Sequence, residues 1–398
     1  MRMRVCPCAN RCGSSPHPRR PHASSPNMSF DPKNLVAPPV RNLAPYVPGK
    51  PLEELEREYG IRDSIKLASN ENPFGPGALA RQAIAAASDD IGLYPDGNGY
   101  SLKRALAAKH GCAIECITLG NGSNDVLVML AEAFLTREHE AVYSQYAFAV
   151  YPIVVQATGA MARIAPAFPE SHEMALGHDL SAMAALVNER TRIVFVANPN
   201  NPTGTFVDTD ALRRFIAALP LTTVIVLDEA YIEYTDAGFP DASEWLQEFP
   251  NLVVTRTFSK AYGLAGLRVG YALSHPGVAD ALNRVRQAFN VNSLALAAAT
   301  AALQDQEHVA QAVAANREAL SLVRGALDTM NIRHYPTQGN FILIDCGRPA
   351  LPIYDAMLRL GVIVRPVGGY GLPNHLRITL GTQAQNQRML EALKQALS

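Results

Sequence analysis

Along the chain, short apolar runs alternate with stretches in which apolar residues recur every three or four positions. The runs lie at Ile117–Leu119, Glu140–Tyr143, Ala162–Ala165, Arg192–Ala197, Thr223–Leu227, Leu252–Thr257 and Gly270–Ala272, and Ala/Leu-rich stretches of helical period separate them. Short strands alternating with helices predict βαβ units. The expected fold class is α/β, with a large domain whose mostly parallel sheet is flanked by helices.

The last third changes character. Helical patterning dominates Val278–Met330, where Asn290, Asn292 and Ser293 read as a cap before an Ala-rich buried helix. Strand-like runs follow at Asn340–Asp345, Val362–Arg365 and His375–Thr379, with a helix between the first two, which predicts a smaller α+β domain. Upstream, Pro38, Pro39, Pro45, Pro48 and Pro51 predict an extended arm, and a helix is expected over Leu52–Tyr59. The expected division is a disordered tail over 1–28, an arm with part of the small domain over 29–75, the large domain over 76–280 and the small domain over 281–398.

Composition narrows the class. Of 398 residues, 48% are hydrophobic and 18% charged, a folded composition long enough to bury a core without disulfides. Lys+Arg number 35 against 36 Asp+Glu, so a general nucleic-acid binder, which needs a basic surplus, is excluded. Residues 1–28 hold five Arg, five Pro and no acid, but lack the apolar core of a secretory signal. In that head, Cys6, Cys8, Cys12 and His17 match no zinc spacing, so no metal is expected. Met28 opens the more ordinary sequence and is an alternative start. Six cysteines in so long a chain, with Cys112, Cys116 and Cys346 scattered through the body, are no disulfide scaffold and point to a reducing, cytoplasmic setting. The uncharged stretches Ala141–Ala162 and Gln287–Gln304 are interrupted by polar residues, so no membrane span is expected.

Candidate chemistry gathers where strands end. Arg192–Ala197 runs into a 198–204 turn, Thr223–Leu227 into Asp228 and Tyr231, and Leu252–Thr257 into Ser259 and Lys260. Ligands bind at the carboxyl ends of strands in open parallel sheets, so Asn201, Asp228, Tyr231 and Lys260 are expected along one edge. Lys260 precedes the small, apolar AYGLAGL segment and then Arg268. A poorly solvated lysine loses proton affinity and becomes a nucleophile for carbonyls, and an always-charged Arg beside it suits a phosphate. Asp228 admits two readings, a helix N-cap or a carboxylate facing a cationic ring nitrogen. Gly122, Ser123 and Asn124 sit in a turn before the apolar helix Val126–Phe134, where backbone N–H groups could cradle a phosphate. A cradle, an Arg and a carbonyl-bonding lysine together describe pyridoxal 5'-phosphate.

Nine motifs in order carry a resemblance from about Asn42 to the C-terminus. They are LASNENPFGP (67–76), YPDGNGYSLKRALA (94–107), GNGSND (120–125), YSQYAFAVYP (143–152), NPNNPTG (198–204), LDEAYIEY (227–234), TFSKAYGLAGLRVGY (257–271), GNFILID (339–345) and LRITLGT (376–382). The chain resembles the fold-type-I, pyridoxal-phosphate-dependent aminotransferases of the aspartate aminotransferase superfamily, and within them the histidinol-phosphate aminotransferases. The resemblance implies that Lys260 bonds the cofactor, Asp228 pairs with its ring nitrogen, and Asn201 and Tyr231 bond its phenolic oxygen. Tyr146 would stack on the ring, while Ser123, Asn124, Thr257, Ser259 and Arg268 surround the phosphate. Tyr94 would reach the cofactor of a second subunit, implying a homodimer. Arg377 would clamp a substrate α-carboxylate, Arg365 would meet a substrate phosphate, and Tyr46 and Asn70 would line the mouth.

The implied reaction moves an amino group from L-histidinol phosphate to 2-oxoglutarate, giving imidazole acetol phosphate and glutamate. Two features bear on substrate choice: a GSN cradle where many relatives carry an acidic pair, and a short Gly-rich loop after Arg365. An aromatic or broad-range aminotransferase and a phosphothreonine decarboxylase on the same scaffold are the alternatives. A DNA-binding regulator built on this fold is not expected, because the first 45 residues are too short and Pro-rich for a helix-turn-helix.

Overall fold

The apolar runs become the strands of one central sheet in the computed structural model, which describes residues 35–398. The tail expected over 1–28, with Cys6, Cys8, Cys12 and His17, lies outside the described residues. In chain order the strands are β1 (Ile65–Lys66), β2 (Ile117–Gly120), β3 (Glu140–Ser144), β4 (Met161–Ala165), β5 (Thr191–Ala197), β6 (Val224–Asp228), β7 (Leu252–Thr257), β8 (Gly270–Ser274), β9 (Arg333–His334), β10 (Phe341–Asp345), β11 (Val362–Ile363), β12 (Arg365–Pro366) and β13 (His375–Thr379). The central sheet has the order β2-β8-β7-β6-β5-β3-β4. Neighbours from β7 to β4 pair in parallel, whereas β8 runs antiparallel to β7 and β2. The sheet is mostly parallel, as the pattern predicts, with β8 the exception. The chain between Thr257 and Gly270 holds one 3-10 turn and no crossover helix, and a parallel return needs such a crossover.

Side chains alternate across the buried strands and fill two cores. Val194, Val196, Ile225, Leu227 and Val254 face one core, shared with Ala295, Ala298 and Ala299 of the helix Ser293–Ala302. Ile193, Phe195, Val224, Val226 and Val253 face the other, against Val126, Leu127 and Leu130 of the helix Ser123–Phe134. Each fully buried aliphatic side chain contributes about 1.5–3 kcal/mol. As the sequence implies, Asn292 caps Ser293–Ala302, accepting from the Ala295 N–H at 2.8 Å.

A second sheet, β12-β13-β10-β9, is antiparallel throughout, and β1 pairs with β11 in parallel. Ile342, Ile344, Leu376 and Ile378 pack there against Met389 and Leu393 of the C-terminal helix Gln383–Leu397. The 24-residue helix Gln306–Thr329 spans both regions: Val309 packs in the first core, Val323 and Leu327 in this one. The run expected as one strand over Val362–Arg365 is two. β11 pairs with β1, and after Val364 the chain changes partner to β13, where Pro366 has no N–H with which to extend the ladder. Pro38–Ser398 forms one compact unit. Among the described residues, no helix is long and apolar enough to cross a membrane.

Candidate active site

The carboxyl ends of β5, β6 and β7 open into a cleft lined by Asn201, Asp228, Tyr231, Thr257, Ser259 and Lys260. Ser123 and Asn124 join from a helix start, Arg268 from the loop before β8, Arg377 from β13, and Tyr46 and Asn70 from the chain before the large sheet. The turn after β5 is pinned by its own side chains. Asn198 both accepts from the Val207 N–H (2.9 Å) and donates to its carbonyl (3.2 Å), and Asn200 donates to Thr203 and to the Tyr146 carbonyl. The Asn198–Pro199 and Asn201–Pro202 peptides are cis.

Lys260 donates to the Ser69 carbonyl at 3.0 Å, and its Nζ lies 5.5 Å from the centre of the Tyr231 ring. Burial, assisted by the charges of Arg377 and Arg268, lowers its pKa to about 7. Asp228 is buried at the end of β6 rather than capping a helix. Its Oδ2 accepts from the Tyr151 hydroxyl at 2.9 Å, while Oδ1 is buried without a hydrogen-bond partner. Burial pushes this carboxyl above its ordinary pKa. Asn70 donates to the Tyr231 hydroxyl at 2.9 Å, and burial lifts the Tyr231 phenol to about 12.

Opposite Lys260, Gly122 precedes the helix Ser123–Phe134, and no side chain caps that helix. Its first N–H groups therefore face the cleft with the positive end of the helix dipole. Gly122 has φ +81°, a backbone conformation that favours glycine, and a Cβ there would push the Arg268 guanidinium from its place. Arg268 in turn donates to the Ser259 hydroxyl at 3.3 Å. These groups form an anion cradle.

Arg377 and Arg365 are cross-strand register partners on β13 and β12. Arg377 donates to Asn201 Oδ1 and to the Ala68 carbonyl, but its Nε is buried and unpartnered. Arg365 lies over the Tyr46 ring at 5.8 Å and donates to the Val47 carbonyl.

The arrangement matches a known family. Residues 62–393 fit the family model of aminotransferase class I and II. This chain belongs to the class I and II aminotransferases. It is 53% identical over 369 residues to histidinol-phosphate aminotransferase 2 of Pseudomonas aeruginosa, covering 92% of this chain and 98% of that one. It is 50% identical over 364 residues to histidinol-phosphate aminotransferase 1 of Nitrosococcus oceani, covering 91% and 97%. Among solved structures, the histidinol-phosphate aminotransferase of Sinorhizobium meliloti in complex with pyridoxal-5'-phosphate superposes with a TM-score of 0.84 at 30% identity, covering 93% and 98%.

Within this aminotransferase, most expected site residues converge and some stand apart. Tyr146 is not on the cleft wall. It packs beside Leu176, Tyr335 and Leu343, and Phe148, two residues on, takes the wall position. Arg365 stands one strand behind Arg377, off the cleft wall. Tyr94 is 83% exposed and stacks on Phe289 at 4.8 Å, away from the cleft. Sequence reasoning also missed Ser69 and Tyr151. Both lie inside motifs quoted above, but nothing in those motifs says which of their residues turn inward.

Proposed function

We propose that this chain transfers the amino group of L-histidinol phosphate to 2-oxoglutarate, with pyridoxal 5'-phosphate as cofactor, giving imidazole acetol phosphate and glutamate. The observation that carries the reading is the 50–53% identity, over nine-tenths of the chain, to aminotransferases of that name. The cleft fits the cofactor. Asp228 Oδ1 is a buried acceptor awaiting a donor such as a ring N–H, and the uncapped helix start with Arg268 suits a phosphate. When bound, pyridoxal phosphate supplies an aldehyde for amino exchange and a ring that takes up electrons from the substrate Cα.

The chain's residues divide the remaining work. Lys260 would bond the aldehyde and would carry a proton from the substrate Cα; its pKa of about 7 leaves much of it neutral at neutral pH. Asp228 would hold a proton at the ring nitrogen, and Tyr231 and Asn201 would hold the ring hydroxyl oxygen, with Phe148 on the cleft wall beside them. Ser123, Asn124, Thr257, Ser259 and Arg268 would hold the phosphate. The unpartnered Nε–H of Arg377 is left to donate to a carboxylate. Arg365, one strand further out, meets the substrate phosphate near Tyr46.

Two copies pair, in this reading, through the face where Ile91, Leu93, Tyr94 and Tyr100 are all more than half exposed. The enzyme works in the cytoplasm, and its two domains meet along the helix Gln306–Thr329.

The test is a half-reaction. The purified yellow protein is mixed, without keto acid, with L-histidinol phosphate or with L-phenylalanine, and the visible band is followed. Bleaching by histidinol phosphate alone is expected. Equal or faster bleaching by phenylalanine would move the chain to the aromatic aminotransferases.

A further inference from the structure

We propose that Tyr151 is a positioning residue that keeps Asp228 an anion, and through it keeps a proton on the ring nitrogen of the bound cofactor. The inference rests on the pyridoxal phosphate reading above. Tyr151 is fully buried in the helix Val150–Thr158, one layer behind the cleft wall. Its ring stacks on Phe195 of β5 at 4.7 Å and 12°, and meets the wall residue Phe148 edge-on at 5.9 Å. These two contacts fix where its hydroxyl points, and that hydroxyl donates to Asp228 Oδ2 at 2.9 Å.

The two oxygens of Asp228 therefore have separate duties. Oδ2 accepts from the phenol, and Oδ1 is buried without a hydrogen-bond partner in a residue that lines the cleft. Burial alone favours the neutral acid, which would bring its own proton and give up the ionic partnership with a ring N–H. A hydrogen bond to the carboxylate works the other way, because it stabilises the charged form. Tyr151 keeps its own proton, since burial and the Asp228 charge push its pKa well above the ordinary value. Around the same carboxylate stand Thr255, its register partner on β7, with Lys260 and Tyr231 on the cleft side.

Tyr151→Phe removes the donor and retains the stacked ring. The experiment loads wild type and Tyr151→Phe with pyridoxal phosphate carrying ¹⁵N at the ring nitrogen and reads its NMR shift at one pH. The expected result is a protonated-ring shift in wild type and a move toward the unprotonated range in the variant. The kcat should fall about tenfold to a hundredfold with KM within about twofold, the scale of one hydrogen bond to a charged group. Phe195→Leu is the control, loosening the ring while keeping the hydroxyl. It should lower the melting temperature and leave the nitrogen shift alone.

An unchanged shift and kcat in Tyr151→Phe would overturn the proposal. So would Phe195→Leu moving the shift as far as Tyr151→Phe, which would make the effect one of packing. Failure of the wild type to take up any cofactor would instead remove the reading beneath it, and is seen before a variant is made.

Discussion

Lys260 carries a charge in a place that disfavours one, and its reactivity follows. Below pH 7 the ammonium form dominates and cannot attack a carbonyl; above pH 7 the amine is free. Capture of pyridoxal phosphate by the cofactor-free protein should therefore rise with pH and reach half its maximum near pH 7. A midpoint near the ordinary lysine value of 10.5 would show that the side chain is well solvated. Lys260→Ala should abolish transamination and leave no cofactor bonded after borohydride reduction, which a mass spectrum reads directly. Gly122→Ala puts a methyl group into the Arg268 guanidinium. It should weaken cofactor binding about tenfold, or about 1.4 kcal/mol, in a fluorescence titration.

At this scale the sequence was most legible where chemistry sits at strand ends. Asp228, Tyr231 and Lys260 follow apolar runs directly, so their convergence could be read from topology rules. That Phe148, and not Tyr146, lines the cleft could not. Both are aromatics in one loop, and the facing of that loop is set by Asn200, which bonds the Tyr146 carbonyl from another strand's turn. Tyr151 was hidden for the same reason, since its partner lies 77 residues away.

Among the elements, β6 and β7 are joined by more than their backbone ladder. Arg256 donates to Glu229 from Nε at 3.0 Å and from Nη2 at 2.6 Å, with both side chains under 5% exposed. Asp228 and Thr257, next in sequence to these two, line the cleft, so the ion pair braces the strands that carry it. Arg256→Met strands a buried carboxylate and should cost about 3–5 kcal/mol in denaturant unfolding. A loss under about 1 kcal/mol, the range of exposed ion pairs, would mean that Glu229 is effectively solvated. Long apolar strands were visible because burial on both faces leaves an unbroken hydrophobic run. The two-residue β1 and β9 were invisible, since so short a segment has no period, and the change of partner at Val364 depends on pairings 297 and 12 residues apart in the chain.

For the whole molecule, the exposed face around Ile91, Leu93, Tyr94 and Tyr100 sets an expectation about assembly. Sedimentation equilibrium should give twice the 43.0 kDa chain mass, and Leu93→Asp should shift it toward one chain with loss of activity. A wild-type mass of one chain would detach Tyr94 from any cofactor. The helix Gln306–Thr329 has a different consequence. A single rod rooted at Val309 in one core and at Val323 and Leu327 in the other ties their melting together. Heat should take the molecule apart in one calorimetric peak. Ala315→Pro, which breaks that rod midway at a cost of about 3 kcal/mol, should divide the peak in two.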